Sequence, residues 1–298
     1  PIAIPAGSPS IYPKALYFDQ HHDRVLMRLP AGNCERFWSL QIAPVAAWEA
    51  IGEELCGCAN IGLSGGAYDG ERSRYFTFGE TEQRCHHGDC ETSYYPCLKQ
   101  FLPFALSGGR SVLAVVGEGP EARWGESLAY DSKRNRLYLF GGAGWKPYSD
   151  DWVYELDPDG GWERISPRAE GMPARVQRRF FFDRERDRLV LAGVYPLDGV
   201  WLRPVDAPGD AWEVVAPFPS RPSRAYDHTS VVDPVARRLL LFGGQGASDE
   251  NALWELPLDR DSSWNAVLVP GVKPRGRWQH AAVFDPVSRR MFLDGGLI

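Results

Sequence analysis

Leu128-Ala129-Tyr130-Asp131 runs through the charged turn Ser132-Lys133-Arg134-Asn135-Arg136 into Leu137-Tyr138-Leu139-Phe140-Gly141-Gly142. The phrase is an apolar stretch ending in Asp, a short charged turn, a second apolar stretch, and then glycines. It returns as Ser230-Val231-Val232-Asp233 leading into Leu239-Leu240-Leu241-Phe242-Gly243-Gly244, and as Ala282-Val283-Phe284-Asp285 leading into Met291-Phe292-Leu293-Asp294-Gly295-Gly296. Weaker copies stand at Ala15-Leu16-Tyr17-Phe18-Asp19, Gly66-Ala67-Tyr68-Asp69 and Arg179-Phe180-Phe181-Phe182-Asp183. The six Asp markers lie 50, 62, 52, 50 and 52 residues apart. A period near fifty built from strand-like runs predicts repeated small sheets about one axis, an all-β propeller of six four-stranded blades.

A repeat filling all 298 residues argues for a single domain, because neighbouring blades share a continuous core. The blade units fall at about 10–52, 60–117, 122–167, 174–217, 224–270 and 276–298 plus 1–9, with an insertion over 80–100. The net charge of −6 comes from interspersed acids and bases, which argues against a nucleic-acid partner. No apolar run reaches the roughly 20 residues a bilayer span requires. No secretory leader is recognisable, and a chain opening at Pro1 without Met reads as processed or trimmed.

All six cysteines, Cys34, Cys56, Cys58, Cys85, Cys90 and Cys97, lie in the first third. An even number packed into one region reads as up to three disulfides, hence a secreted, periplasmic or cell-surface location. The competing reading is free or metal-binding thiols in a cytosolic protein.

Each unit divides into four strands, here A to D. Strand A ends in the Asp marker and strand B usually ends in glycines. Strand C carries a Trp five residues before a second Asp, as Trp152 with Asp157, Trp201 with Asp206 and Trp254 with Asp259. Strand D has its own Trp, at Trp162, Trp212 and Trp264. Units one and two are eroded, although Trp38 and Trp48 keep the C and D places in the first. The A-to-B turns read as tight solvated hairpins whose Asp, Asn and Ser bond the local backbone. The glycine pairs read as structural and are no phosphate loop, since no helix and no Lys-Ser/Thr follow them.

With these residues in view the chain resembles the Kelch-repeat family, which has Arg and His before strand A, paired glycines after strand B and spaced aromatics in strands C and D. Arg224-Ala225-Tyr226-Asp227-His228 and Arg277-Trp278-Gln279-His280 match best. Unit four departs, with Ala192-Gly193 for the pair; unit two has Gly79-Glu80 and unit one has no pair. The resemblance covers nearly the whole chain and implies a fold rather than an activity, because Kelch propellers include adaptors, sugar-binding proteins, oxidases and epimerases. After Ile298 the sixth unit lacks strands C and D. The N-terminal Ile2-Ala3-Ile4-Pro5 resembles the strand D tail Val267-Leu268-Val269-Pro270 and is expected to close the last blade. A sixth blade that is thin, or completed beyond Ile298, is the alternative.

Strand A is innermost, so the residue five before each Asp marker should approach one rim. That ring is Lys14, Ser64, Glu126, Arg178, His228 and His280; two positions earlier come Tyr12, Gly62, Trp124, Val176, Tyr226 and Trp278. Aromatic faces beside polar groups suit a sugar or another amphipathic ligand. In Kelch repeats the His before strand A also serves a local structural role, bonding backbone while the aromatic packs the seam. His228 and His280, from adjacent blades, can share a transition-metal ion with Glu126 or Tyr226 as a further ligand. The Kelch copper oxidases use Tyr and His at this face, but their Tyr–Cys cofactor has no counterpart that can be placed here, and no other cofactor is expected. Glu126 with Arg178 reads as a salt bridge or as an acid/base pair for sugar epimerisation. The insertion around Cys85-His86-His87-Gly88-Asp89-Cys90 reads as a disulfide-stapled lid over the same face, or as a metal knot without zinc-finger spacing. No Gly-x-Ser-x-Gly or His-Glu-x-x-His motif occurs. The expected function is an extracytoplasmic module that binds a glycan, small ligand or protein at the axial face. The alternatives are an enzyme in the axial pocket, either a metal-dependent oxidase or a sugar epimerase, and a scaffold acting through its blade edges.

Overall fold

In a computed structural model the chain is described at residues 15–31, 34–41, 47–56, 66–82, 94–101, 110–112, 119–156, 160–166, 179–192, 199–206, 212–217, 227–245, 251–259 and 263–298, with 124 and 145 outside them. The elements among these residues are all strands. The first sheet holds β1 (Ala15–Asp19), β2 (Arg24–Ala31), β3 (Cys34–Gln41) and β4 (Ala47–Cys56); the second β5 (Gly66–Asp69), β6 (Arg74–Glu82), β7 (Tyr94–Phe101) and β8 (Arg110–Val112). The third holds β9 (Ser127–Asp131), β10 (Arg136–Phe140), β11 (Asp151–Glu155) and β12 (Trp162–Ser166). The fourth holds β13 (Arg179–Asp183), β14 (Arg188–Ala192), β15 (Gly199–Pro204) and β16 (Glu213–Pro217). The fifth holds β17 (Thr229–Asp233), β18 (Arg238–Phe242), β19 (Leu253–Pro257) and β20 (Asn265–Val267), and the sixth β21 (Ala281–Asp285) and β22 (Arg290–Asp294). Consecutive strands pair antiparallel, so every sheet is a meander.

The repeated Asp has a defined local task. Asp131 Oδ1 accepts the backbone N–H of Lys133 at 2.8 Å and of Arg134 at 3.2 Å; Asp69, Asp233 and Asp285 make the same pair of bonds. An Arg stands five residues after every marker and directly opposite it in the hairpin register. Arg24, Arg74, Arg188 and Arg238 return Nε to the marker's Oδ2 at 2.9–3.0 Å. The turn needs one residue with left-handed backbone, found at Asp23, Ser73, Asn135, Asp187, Arg237 and Arg289, with φ between 47° and 56°. Asn and Asp tolerate that region best, which accounts for three of the six.

Strand B of each full sheet is apolar at consecutive positions because it is covered on both faces. In β10, Leu137 and Leu139 pack against Phe76, Phe78 and Leu98 of the second sheet, while Tyr138 and Phe140 pack against Phe180, Leu189 and Trp212 of the fourth. The period-two alternation of a strand delivers this split. The seam between fourth and fifth sheets is built from Val190, Ala192, Leu239 and Leu256, and that between fifth and sixth from Val231, Leu240 and Phe284. Leu16, Val25 and Met27 of the first sheet meet Ala281 and Phe292 of the sixth. Tyr17, Phe37, Tyr68 and Tyr75 fill the remaining seam, between first and second, with Tyr17 and Tyr75 ring centroids 5.4 Å apart edge-on. Among the described residues six sheets thus meet at six seams, with β1 lying beside β21.

The glycine pairs are places where backbones meet. Gly243 has φ +71°, and a Cβ on it would lie 2.3 Å from the Arg277 carbonyl oxygen and 2.9 Å from His280 Cε1. Gly296, at φ +92°, would meet Trp278 O and His280 Cβ, each at 2.8 Å. Positive φ and a backbone neighbour together leave no residue but glycine unstrained.

Cys34 opens β3 and Cys56 closes β4, in register opposite each other. One sequence expectation changes. The expected lid is partly strand. Pairing of β6 with β7 continues to Glu82↔Tyr94 and sets Cys97 opposite Gly79, so part of the extra length extends a hairpin. Cys58, Cys85 and Cys90, and the closing strand expected from residues 1–9, lie outside the described residues. No helix among the described residues is long and apolar enough to cross a membrane.

Candidate functional site at the start of the inner strands

The two ends of the ring differ. At the end bearing the A-to-B turns, arginines tie one sheet to another. Arg74 donates to Asn135 at 2.7 Å, Arg134 makes a bidentate pair with Asp187 at 2.6 Å for each oxygen, and Arg186 pairs with Asp259. Arg184 reaches Glu71 at 2.7 Å, joining the fourth sheet to the second past the third. The charges at this end are largely spent on one another.

The other end is where the inner strands begin. Of the ring expected from the sequence, Glu126, His228, His280 and Trp278 are described there; Tyr12, Lys14, Trp124, Arg178 and Tyr226 lie outside the described residues. Glu126 and His280 are almost fully buried and His228 nearly so, whereas Trp278 is part-exposed. The His280 ring stands edge-on to Phe242 at 5.6 Å, in the seam between fifth and sixth sheets. Thr229 Oγ1 donates to the His280 carbonyl at 2.7 Å, and Gln279 Nε2 donates to Asp227 Oδ2 at 3.2 Å. Asp227 and Gln279 both have φ of 55°, so the segments leading into β17 and β21 share one left-handed kink. Trp278 exchanges two backbone bonds with Leu297, at 3.0 and 2.9 Å, which fix its main chain beside the C-terminal residues.

Neither ring nitrogen of His280 has a hydrogen-bond partner among the described residues. Burial pushes the His280 imidazole down to about 3, and Arg179, Arg277 and His228 add positive charge on the same side. No group of three His, Cys, Asp or Glu side chains that could hold a metal ion gathers among the described residues.

Two buried ion pairs brace this end. Arg123 Nη1 and Nη2 reach Asp150 at 2.5 and 3.2 Å, and Nη1 also donates to Gly141 O at 3.1 Å. Its guanidinium lies 3.8 Å over the Tyr148 ring. Asp151 turns the other way and accepts from Arg203 of the fourth sheet at 2.7 Å and from the Trp212 indole at 2.8 Å. Burial pushes the Asp151 carboxyl up to about 7 against the pull of Trp212 and Arg203. Adjacent acids in β11 and its approach thus hold two different sheets.

Sequence reading passed over Arg179, one residue beyond the expected ring. The matching positions are Ala15, Gly65, Ser127, Thr229 and Ala281, so a single long cation stands among five small residues. The signal was available once the six Asp markers were aligned.

No family model matches the chain. It is 24% identical over 189 residues to the serine/threonine-protein phosphatase BSL2 of Arabidopsis thaliana, covering 62% of this chain and 13% of that protein. Mei4-dependent protein 6 of Schizosaccharomyces pombe is 36% identical over 104 residues, covering 34% and 14%. The putative adagio-like protein 2 of Oryza sativa subsp. japonica is 27% identical over 209 residues, covering 61% and 31%. The chain spans less than a third of the length of each of these relatives. Among solved structures, YjhT superposes with a TM-score of 0.65 at 13% identity, over 99% of this chain and 93% of that one. TolB from Acinetobacter baumannii gives a TM-score of 0.52 at 9% identity, over 88% and 54%. The chain is a β-propeller. Likeness at such low identity speaks to fold alone.

Proposed function

We propose that this chain is a six-bladed propeller of Kelch type and works as a binding module, taking a glycan, a small ligand or a protein on the face where the inner strands begin. The difference between the two ends carries this reading. One end carries Arg–Asp and Arg–Glu pairs between sheets, whereas at the other Glu126, His228, His280 and Trp278 stand just before the inner strands of the third, fifth and sixth sheets. The reading extends to Tyr12, Lys14, Trp124, Arg178 and Tyr226 by their matching places in the repeat. A part-exposed indole held by its backbone to Leu297 is a suitable platform for the apolar face of a sugar, with charged groups to fix hydroxyls.

A glycan array followed by calorimetry tests the reading. Trp278→Ala is expected to weaken the tightest ligand about tenfold, roughly 1.4 kcal/mol, with no turnover of that ligand by the parent protein. Unchanged affinity in the variant refutes the face assignment, and turnover of the bound sugar moves the reading to an enzyme.

We place the protein outside the cytoplasm on its cysteines. The β3–β4 register supports this, since residues opposite one another in an antiparallel pair have Cα atoms about 4.5–5.5 Å apart, within the range a disulfide bridges. Digestion of unreduced protein secreted from an oxidising compartment is expected to release a Cys34–Cys56 linked peptide in mass spectrometry. Recovery of both thiols fully alkylated overturns the pairing.

A further inference from the structure

We propose that Arg179 forms an anion-binding site in the axial channel, one that takes the carboxylate or phosphate group of a small ligand. The inference deepens the binding-module reading and rests on it for the location of the ligand face.

Arg179 opens β13, an innermost strand packed between β9 and β17. At the same level four other inner strands open on Ala15, Ser127, Thr229 and Ala281. Ser127, Thr229 and Ala281 are buried, and Thr229 spends its hydroxyl on the next sheet, donating to the His280 carbonyl. Propeller blades surround a central channel, and of these five described positions only Arg179 holds a long side chain.

No carboxylate pairs with Arg179 among the described residues, although most arginines at the turn end have one. Burial lowers its guanidinium against the opposing pull of Tyr17 in the first sheet. Its charge is also felt at His280 before the sixth sheet, so the guanidinium lies within electrostatic range of two sheets other than its own. It nevertheless stays part-exposed, in keeping with a side chain that faces water in a channel.

Two further observations have the same sign. Arg277 matches Arg123 in bonding the carbonyl two residues back and the first glycine carbonyl, at 3.2 and 3.0 Å, but it has no counterpart of Asp150 among the described residues. His280 is buried beside these charges with both ring nitrogens unbonded among the described residues. The charged groups acting on His280 among the described residues are therefore Arg179, Arg277 and His228. A planar guanidinium in a low-dielectric channel offers a bidentate fork to a carboxylate or phosphate, and such charge-assisted bonds are among the strongest available. An acid group held here would leave the rest of the ligand at the rim beside Trp278.

The test is calorimetry on the full chain at constant ionic strength, with inorganic phosphate, D-glucuronate and D-glucose as probes. Saturable binding of phosphate or of glucuronate is expected, weakened at least tenfold in Arg179→Gln. Arg179→Lys keeps the charge without the fork and is expected to fall between the two; it serves as the readout should the Gln variant not fold. Tighter binding of phosphate than glucuronate assigns a phosphorylated ligand, and the reverse assigns a sugar acid. Absence of saturable anion binding, or equal affinity in parent and variants, overturns the proposal. Neutral-sugar binding that falls in Trp278→Ala, with no saturable binding of phosphate or glucuronate, would preserve the face assignment while the anion site fails. Phosphate binding lost in Arg179→Gln with no sugar bound at all would do the reverse.

Discussion

Replacing Arg123 by Ala is expected to cost about 3–5 kcal/mol of folding stability, the range for removing one partner of a buried ion pair. Arg123 has no solvent exposure and Asp150 has 5%. The guanidinium answers three acceptors, Asp150, the Glu121 carbonyl and the Gly141 carbonyl, while stacking over Tyr148. Removing it leaves the Asp150 carboxylate with the Trp152 indole at 2.8 Å and Arg164 at 3.9 Å, the latter half-exposed and poorly placed. The penalty is chiefly that of a desolvated charge, so a double variant, Arg123→Met with Asp150→Leu, should recover most of it. The same variants separate packing from charge. Urea unfolding checks both statements through the shift in midpoint at constant slope. A single-variant cost below 1 kcal/mol, or a double variant no better than the single, would show that the pair does not brace the third sheet.

The second large effect is acid destabilisation through His280. Its folded value of about 3 lies below the 6.5 of the free side chain, because burial disfavours the imidazolium and Arg179, Arg277 and His228 oppose it further. Between these values the unfolded chain binds a proton that the folded chain refuses. The contribution is therefore fully present above pH 6.5 and declines as pH falls toward 3, at about 1.4 kcal/mol per unit. By pH 4.5 the loss is about 3 kcal/mol relative to pH 7. In His280→Gln this component of the slope should vanish, whatever the variant does to stability at neutral pH. Parallel stability curves for parent and variant between pH 7 and 4.5 would refute the assignment, and carboxylates titrating in the same range cancel in the comparison.

These effects arise from residues whose importance the sequence displays unevenly. The propeller was legible because each element of the repeat is local. The Asp marker caps its own turn, the Arg five residues on answers it across the hairpin, and strand B is continuously apolar since a sheet covers each side. The Trp of strands C and D could be placed for the same reason, by distance from a marker within one unit. The histidines also declared themselves by position, although only the packed ring shows that His280 turns into the seam beside Phe242.

The pairings between units were not legible. Asp150 and Asp151 are neighbours in sequence, yet one serves Arg123 of its own sheet and the other Arg203 of the next, because successive strand residues face opposite sides. Glu71 meets Arg184 across 113 positions of chain, a choice made where the turns crowd about the axis. Cys34 and Cys56 came opposite only once the β3–β4 register was fixed, since β3 begins earlier than its apolar residues indicate. Arg179 is the clearest case. From the aligned markers alone, five matching positions are small and one is arginine. The packing of β13 between β9 and β17 then sets the surroundings of that charge, where no carboxylate pairs with it among the described residues.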